Sequence, residues 1–146
     1  TIDSNMIFSP KHVIDLIEDT DKYPVVSGVF RLPDMKSIAA VRQLDDEFFH
    51  KNGAYEYIKM DTLDKDIKHV QVEYTTMGFM ACKKGVIETL TYPYFNYPVN
   101  VCEVDDKSIS HIFPDDVSFC KRLTDAGHKI MINTDILVGN EKRLII

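Results

Sequence analysis

The first candidate for chemistry is a pair of oxygen-bearing side chains near the start of the chain, in the segment Thr-Ile-Asp-Ser-Asn. If this segment is extended, alternate side chains share a face, and Asp3 and Asn5 can direct oxygen atoms at one hard cation. The same residue types are typical of an Asx turn that closes a strand. The spacing therefore predicts a metal site or a turn, and the residues alone leave both open.

The second candidate is the adjacent pair Asp115 and Asp116, which follows Pro114 and precedes an amphipathic pattern. Acidic side chains in this position cap the free N–H groups of a helix. A carboxylate held near a like charge and near the positive end of a helix dipole can also serve as a general base. The pair is predicted to cap a helix, with a catalytic base as the functional interpretation.

The third candidate is a run of aromatic residues interspersed with prolines: Tyr92, Tyr94, Phe95 and Tyr97. Aromatic faces stack on sugar rings, and Tyr hydroxyls form hydrogen bonds with sugar hydroxyls. The run therefore predicts a platform for a carbohydrate acceptor, and its alternative is a packed loop.

These residues depend on elements that the hydrophobic pattern predicts as alternating helices and strands. Ser9-Pro10 is typical of a helix start, and Gly127 of the end of the helix that begins near residue 115. The pattern predicts strands over 24–30, 69–82 (interrupted at Gly78), 129–133 and 135–138, and a short helix over 84–90. It predicts two irregular stretches: one over 33–69, with a short helix near 36–44, and one from the end of the aromatic run at Pro98 to Pro114. Strands alternating with helices predict an α/β fold on a parallel or mixed sheet.

Composition narrows the class of protein. The chain has 146 residues, 45% hydrophobic and 27% charged, which predicts one domain over 1–146. The net charge is −6 and the basic residues are scattered, so no nucleic-acid partner is expected. No apolar run is long enough for an integral membrane segment. The three cysteines are odd in number and lack zinc spacing, which favours a reducing compartment and a cytoplasmic location.

Several segments also occur in an order that is typical of one enzyme family. They are residues 1–8, 25–31, 77–83 with 92–95, 114–122, and 126–135 with 138–141. In order and spacing they resemble the C-terminal half of a family-2-like GT-A nucleotide-sugar glycosyltransferase. The resemblance covers most of the chain apart from roughly residues 33–69 and 99–112.

The resemblance implies a GT-A-like α/β fold, a partial Rossmann-like mixed sheet flanked by helices, with the N-terminal nucleotide-binding half missing. By this resemblance Asp3, Asn5 and Asn140 match the metal site, where Mn²⁺ or Mg²⁺ would bridge to the diphosphate of a nucleotide-sugar donor. Asp116 matches the catalytic base, which takes a proton from a glycan or other hydroxyl acceptor, with inversion at the anomeric carbon. Asp115 would orient the acceptor or cap the helix.

The departures from the family pattern define an alternative function. Asn5 stands where the second acid of the D-x-D motif is expected, and Asn140 where many relatives place a metal-binding His. Neutral amide oxygens give a hard cation less charge attraction. The alternative is a non-catalytic carbohydrate-recognition or assembly module that keeps the fold. The start at Thr1 and the apolar run at 144–146 predict that the sequence is a fragment.

Overall fold

The order of helices and strands follows the predicted alternation only in part. The computed structural model describes residues 1–104 and 107–141, and the apolar run at 144–146 lies outside them. The strands are β1 (Met6–Ile7), β2 (Val25–Val29), β3 (Ser37–Val41), β4 (Tyr57–Lys59), β5 (His69–Val72), β6 (Tyr74–Thr75), β7 (Met80–Cys82), β8 (Val99–Val104), β9 (Lys107–Ile112), β10 (Ile130–Leu137) and β11 (Gly139–Asn140). The helices are α1 (Pro10–Asp19), α2 (Asp46–Asn52) and α3 (Asp115–Asp125), with 3₁₀ turns at Met60–Thr62 and Ile87–Thr89.

The central sheet has the strand order β5-β10-β2-β7. Strands β10 and β2 run parallel, with Ile130 opposite Val25, whereas β5 and β7 are antiparallel to their neighbours. Helix α1 packs against β2, β10 and β7, and α3 packs against β10 and β6. The prediction of an α/β fold with a mixed sheet flanked by helices is therefore confirmed.

The sheet is buried on both faces. Val25 belongs to the hydrophobic cluster that includes Leu123 of α3, and its neighbour Val26 belongs to the cluster that includes Leu16 of α1. Successive side chains of a strand point to opposite faces, so β2 contributes one valine to each cluster. A strand buried on both faces has a continuous apolar run instead of an alternating one, which is why the run at 24–30 predicted β2 correctly.

The ends of the helices carry the signals that the sequence predicted. The Ser9 hydroxyl accepts a hydrogen bond from the backbone N–H of His12, and Pro10 is the first helical residue of α1. Helix α3 ends at Asp125, and Gly127 has a φ of 85°, in the left-handed region that favours glycine. Both boundaries are confirmed because they depend on local backbone chemistry.

Four elements differ from the prediction. The segment 36–44 is not helical: it contains β3, and the helix α2 begins later, capped by Asp45, whose carboxylate accepts the N–H of Phe48 at 2.9 Å. Strand β3 lies between β4 and β6 in an antiparallel sheet, so pairing across the chain overrides the helix propensity of its alanines. The stretch 84–90 holds only a 3₁₀ turn, 69–82 divides into strands of two sheets, and 99–112 is an antiparallel hairpin.

A buried polar network ties α1 to the central sheet. Asp19 accepts a hydrogen bond from Asn133 Nδ2 at 2.5 Å, and its other carboxylate oxygen lies 2.9 Å from Nε2 of His69. Burial opposes ionisation of Asp19, but the hydrogen bonds from His69 and Asn133 outweigh it and lower the pKa of its carboxyl. The network therefore stabilises the folded state through the charged form of Asp19.

The pH dependence of stability tests this network. Because the pKa of Asp19 is lower in the folded than in the unfolded state, its contribution is complete above about pH 4 and is lost as the pH falls through the folded-state value. We expect Asp19→Asn to lower the free energy of unfolding by about 1–3 kcal/mol at pH 7 and to flatten the loss of stability below pH 4. Urea denaturation at pH 7 and pH 3 measures both. If the variant lost as much unfolding free energy between pH 7 and pH 3 as the wild type, the stabilising role of ionised Asp19 would be wrong.

Within the described residues, no helix is both long and apolar enough to cross a membrane.

Candidate functional site

A cavity of about 320 Å³ brings together four of the residues singled out in the sequence. Asp3 and Asn140 line it together with Asp115 and Asp116, although these residues come from three distant parts of the chain. The rest of its lining comes from β1, from the residue after β2 and from the connection between β6 and β7: Met6, Phe30, Thr76, Met77 and Gly78. The β6–β7 connection and its neighbouring elements thus position the candidate side chains around one space.

Asp3 is held against the β6–β7 connection by its backbone. Its N–H donates to the carbonyl of Gly78 at 2.9 Å, and its carbonyl accepts the N–H of Met6 at 3.1 Å, which closes a turn. A β-carbon at Gly78 would overlap the end of the Met6 side chain and lie 3.2 Å from Oδ2 of Asp3. The glycine therefore leaves the space in which the Asp3 carboxylate reaches the cavity.

Asn5 and Asn140 contact each other directly. The ribbon formed by β1 and β11 pairs Met6 with Asn140, and Asn5 Nδ2 donates to Oδ1 of Asn140 at 3.1 Å. Asn5 lies in a turn, so it does not share an extended face with Asp3 as one interpretation of the sequence required. Asn140 lines the cavity together with Asp3. Asn5 is not among the lining residues, and it contacts the site through its hydrogen bond to Asn140.

These three residues offer only oxygen ligands of the kind that Mg²⁺ and Mn²⁺ prefer. Asp3 supplies one carboxylate, and Asn140 supplies an amide oxygen that already accepts a hydrogen bond from Asn5. Across residues 1–104 and 107–141, no group of three or more His, Cys, Asp and Glu side chains could hold a metal ion. The oxygen ligands are therefore of the type that a hard cation prefers, and the Asp3 carboxylate supplies one negative charge to the cation.

The opposite wall is the first turn of α3. Oδ1 of Asp116 accepts the backbone N–H of Val117 at 2.8 Å, and Oδ2 accepts the hydroxyl of Tyr74 at 2.7 Å. Asp115 accepts the N–H of Asp116 at 3.0 Å. The N-cap position is occupied by Pro114, which provides no side-chain cap. The two carboxylates therefore cap the helix from its first two residues, and both remain partly exposed to the cavity.

Tyr74 is a site residue that the sequence did not reveal. It is buried on β6, and burial, followed by the charge of Asp116, raises the pKa of its hydroxyl far above the ordinary value. The hydroxyl therefore stays protonated and donates to Asp116 at any working pH. It lies within the predicted strand 69–82, where nothing in the sequence marks it as a site residue. A buried Tyr hydroxyl requires a partner, but the sequence does not identify which one.

Cys120 lies beneath this turn of the helix and is not a nucleophile. Its thiol is fully buried and donates to the carbonyl of Thr75 at 3.2 Å. Burial raises the pKa of the thiol to about 12, so the thiolate is not populated near neutral pH.

The aromatic run is partly packed and partly exposed. The Phe95 ring lies 4.8 Å from that of Phe119, and the Ser118 hydroxyl donates to Asn96 Oδ1 at 2.7 Å, which ties the loop to α3. Tyr92 and Tyr97 are 80% and 66% exposed. The loop is therefore attached two residues beyond Asp116, but its aromatic side chains are not among those that line the 320 Å³ cavity.

Comparison with known proteins bears on the fold. No protein-family model matches the sequence, and no curated protein matches it. Among solved structures, A197 from STIV is similar, with a TM-score of 0.54 and 14% sequence identity. The match covers 97% of this chain and 56% of that one, so this chain spans about half the length of A197. At this identity the likeness extends to the fold alone.

Proposed function

We propose that this chain is the metal-binding and catalytic-base part of a glycosyltransferase that moves a sugar from a nucleotide-diphosphate donor to a hydroxyl acceptor. The observation that carries the proposal is the cavity that Asp3 and Asn140 line together with Asp115 and Asp116. The resemblance in the sequence assigns metal binding to Asp3 and Asn140 and the catalytic base to Asp116, and Asp3 lies more than one hundred positions before Asp116. Binding of the nucleotide is assigned to residues outside this chain.

In this proposal Asp116 is the base. Oδ2 of Asp116 is fixed by the Tyr74 hydroxyl, and Oδ1 by the helix N–H of Val117, so the carboxylate has a defined orientation towards the cavity. It takes the proton of the acceptor hydroxyl as the acceptor oxygen bonds to the anomeric carbon. The bond from that carbon to the diphosphate oxygen breaks, and its electron pair leaves with the nucleotide diphosphate. Attack opposite the leaving group inverts the anomeric configuration.

The other wall holds the leaving group. Asp3 and Asn140 would bind Mg²⁺ or Mn²⁺, which when bound neutralises charge on the departing diphosphate. Gly78 keeps this wall open, because the Asp3 carboxylate occupies the space beside its α-carbon. Asn5 holds the Asn140 amide through their mutual hydrogen bond and so fixes the position of Oδ1.

A turnover screen of the natural full-length protein tests the proposal. UDP-, GDP- and dTDP-sugars are supplied with glycan acceptors, with Mn²⁺ or Mg²⁺ and then with a chelator. We expect release of a nucleotide diphosphate that depends on the acceptor, and a product of inverted anomeric configuration by NMR. If no donor is turned over under any metal condition, the proposal fails.

Removing the charge of Asp3 tests the metal wall separately from turnover. Asp3→Asn is expected to raise the Mn²⁺ concentration needed for half-maximal nucleotide-diphosphate binding by at least about tenfold, because the only carboxylate on this wall is lost. Calorimetric titration of the nucleotide at several metal concentrations measures the shift. Asp66→Asn, an exposed acid outside the cavity, is the control with the same change of charge. If both variants needed the same Mn²⁺ concentration for half-maximal binding, Asp3 would not be a ligand of the metal.

One observation favours the non-catalytic carbohydrate-recognition or assembly module as the second candidate. The Asn5 amide donates a hydrogen bond to Oδ1 of Asn140, which gives this wall an internal contact that needs no metal. A binding module would hold a glycan with an affinity that does not depend on metal and that survives removal of the Asp116 charge. Glycan binding with these two properties, in the absence of turnover, would favour this second candidate.

A further inference from the structure

A second cavity, of about 420 Å³, lies beside β4 and carries unpaired positive charge. Arg42 and Lys59 line it, and the side chain of neither forms a hydrogen bond or ion pair with another described residue. Four lysines elsewhere in the chain, Lys11, Lys51, Lys68 and Lys121, each pair with a carboxylate, whereas Lys59, like several exposed lysines, does not. The cavity is of the size that small ligands occupy.

The lining of this cavity holds two carboxylates as well as two cations, so that its formal charge is balanced without direct ion pairs. Asp45 and Glu56 also line it, but neither carboxylate forms an ion pair with Arg42 or Lys59. Asp45 is engaged as the cap of α2 through the N–H of Phe48. The cavity therefore offers separate cationic donors and anionic acceptors, which is the combination that a sugar with an acidic substituent requires. The cations bind the acid, and the carboxylates accept hydrogen bonds from hydroxyls.

The β4–β3–β6 sheet connects this cavity to the catalytic one. Tyr57 of β4 and Tyr74 of β6 both pair with Val41 of β3, so the three side chains form a row across the sheet. Their α-carbons span about 10 Å from Tyr57 to Tyr74, two strand spacings. Tyr57 lines the cationic cavity, and burial, followed by the charge of Asp116, raises the pKa of its hydroxyl. The two cavities thus lie at opposite ends of one short row of side chains.

From this arrangement we propose that the acceptor is a sugar carrying an acidic group, a carboxylate or a phosphate, which Arg42 and Lys59 bind while a hydroxyl reaches Asp116. The inference rests on the proposed function for the identity of the ligand as an acceptor. The guanidinium of Arg42 presents paired donors that match a carboxylate or phosphate, and Lys59 adds a second charge. Tyr57, protonated and without a hydrogen-bond partner among the described residues, donates to the sugar between the two cavities.

Binding of simple probes tests the cationic cavity without any donor. Glucuronate, glucose 6-phosphate and glucose are titrated into the protein by calorimetry at low salt, where exposed charges are least screened. We expect at least one acidic probe to bind at least tenfold more tightly than glucose. Arg42→Gln with Lys59→Gln should weaken that binding at least tenfold. The better of the two acidic probes identifies the acidic group.

The control removes the same charge elsewhere. Lys65→Gln with Lys129→Gln replaces two exposed lysines outside the cavity, and it should change the affinity less than twofold. Equal weakening by both double variants, or acidic probes that bind no more tightly than glucose, would overturn the inference. Asp116→Asn should keep full probe binding. Probe binding that depends on Arg42 and Lys59, in a protein that turns over no donor, would mean that the proposed function fails and that the acidic-sugar site stands.

Discussion

Replacing Asp116 with Asn is expected to reduce sugar transfer by about 10²- to 10⁴-fold, the range of loss for a general base. Asn keeps the size of the side chain, and its one amide oxygen can accept either the Tyr74 hydroxyl or the Val117 N–H, whereas the carboxylate accepts both. What disappears is the ability to take a proton. The loss should therefore lie in kcat, with a small change in KM for the acceptor.

The matched control is Asp125→Asn at the other end of the same helix. Asp125 is exposed, and its ion pair with Lys121, at 3.5 Å, is a surface pair worth little. Both variants should show the same thermal unfolding within a few degrees, and only Asp116→Asn should lose turnover. If Asp116→Asn retained the wild-type kcat, another group would have to accept the proton, and the role assigned to the α3 wall would be wrong.

The sequence predicted the residues of the cavity better than the contacts between them. Three of these residues stand at the start or end of an element: Asp115 and Asp116 begin α3, and Asn140 ends β11. Asp3 lies in the turn before β1. Polar residues at such positions can be recognised from the order of motifs along the sequence. Tyr74 lies in a strand, and the sequence of a strand does not show whether a tyrosine hydroxyl contacts a carboxylate. Its role depends on the packing of α3 against β6, a tertiary contact that the sequence pattern does not reveal.

The fold shows the same division between local and distant causes. The start of α1 at Pro10 and the glycine after α3 were predicted because capping chemistry acts within a few residues. The β8–β9 hairpin was not predicted, and three of its apolar residues are not core residues: Val99, Val101 and Ile112 are all more than half exposed. Strand β3 was mistaken for a helix because Ala39 and Ala40 favour helices, and only pairing with β4 and β6 makes this segment extended.

The second large effect is expected at Gly28, at the centre of β2. A β-carbon there would lie 2.7 Å from Cγ2 of Ile136 and 2.9 Å from a ring carbon of Phe79, both buried, and 3.1 Å from the carbonyl oxygen of Ile136. None of these atoms is the free end of a flexible chain. Gly28→Ala is therefore expected to lower the free energy of unfolding by about 2–3 kcal/mol through overpacking, measured by urea denaturation.

A double-variant cycle separates overpacking from a change in backbone freedom. Ile136→Ala removes the methyl group that Gly28→Ala would strike, although it costs about 2–5 kcal/mol alone. If steric overlap is the cause, the double variant will be destabilised by clearly less than the sum of the two single variants. Additive losses would place the cost of Gly28→Ala in the backbone instead. Because Phe79 follows Gly78 and Phe30 ends the same run as Gly28, a strand displaced by overpacking would also move Gly78 and Phe30 in the lining of the 320 Å³ cavity. We therefore expect Gly28→Ala to lower turnover as well as stability.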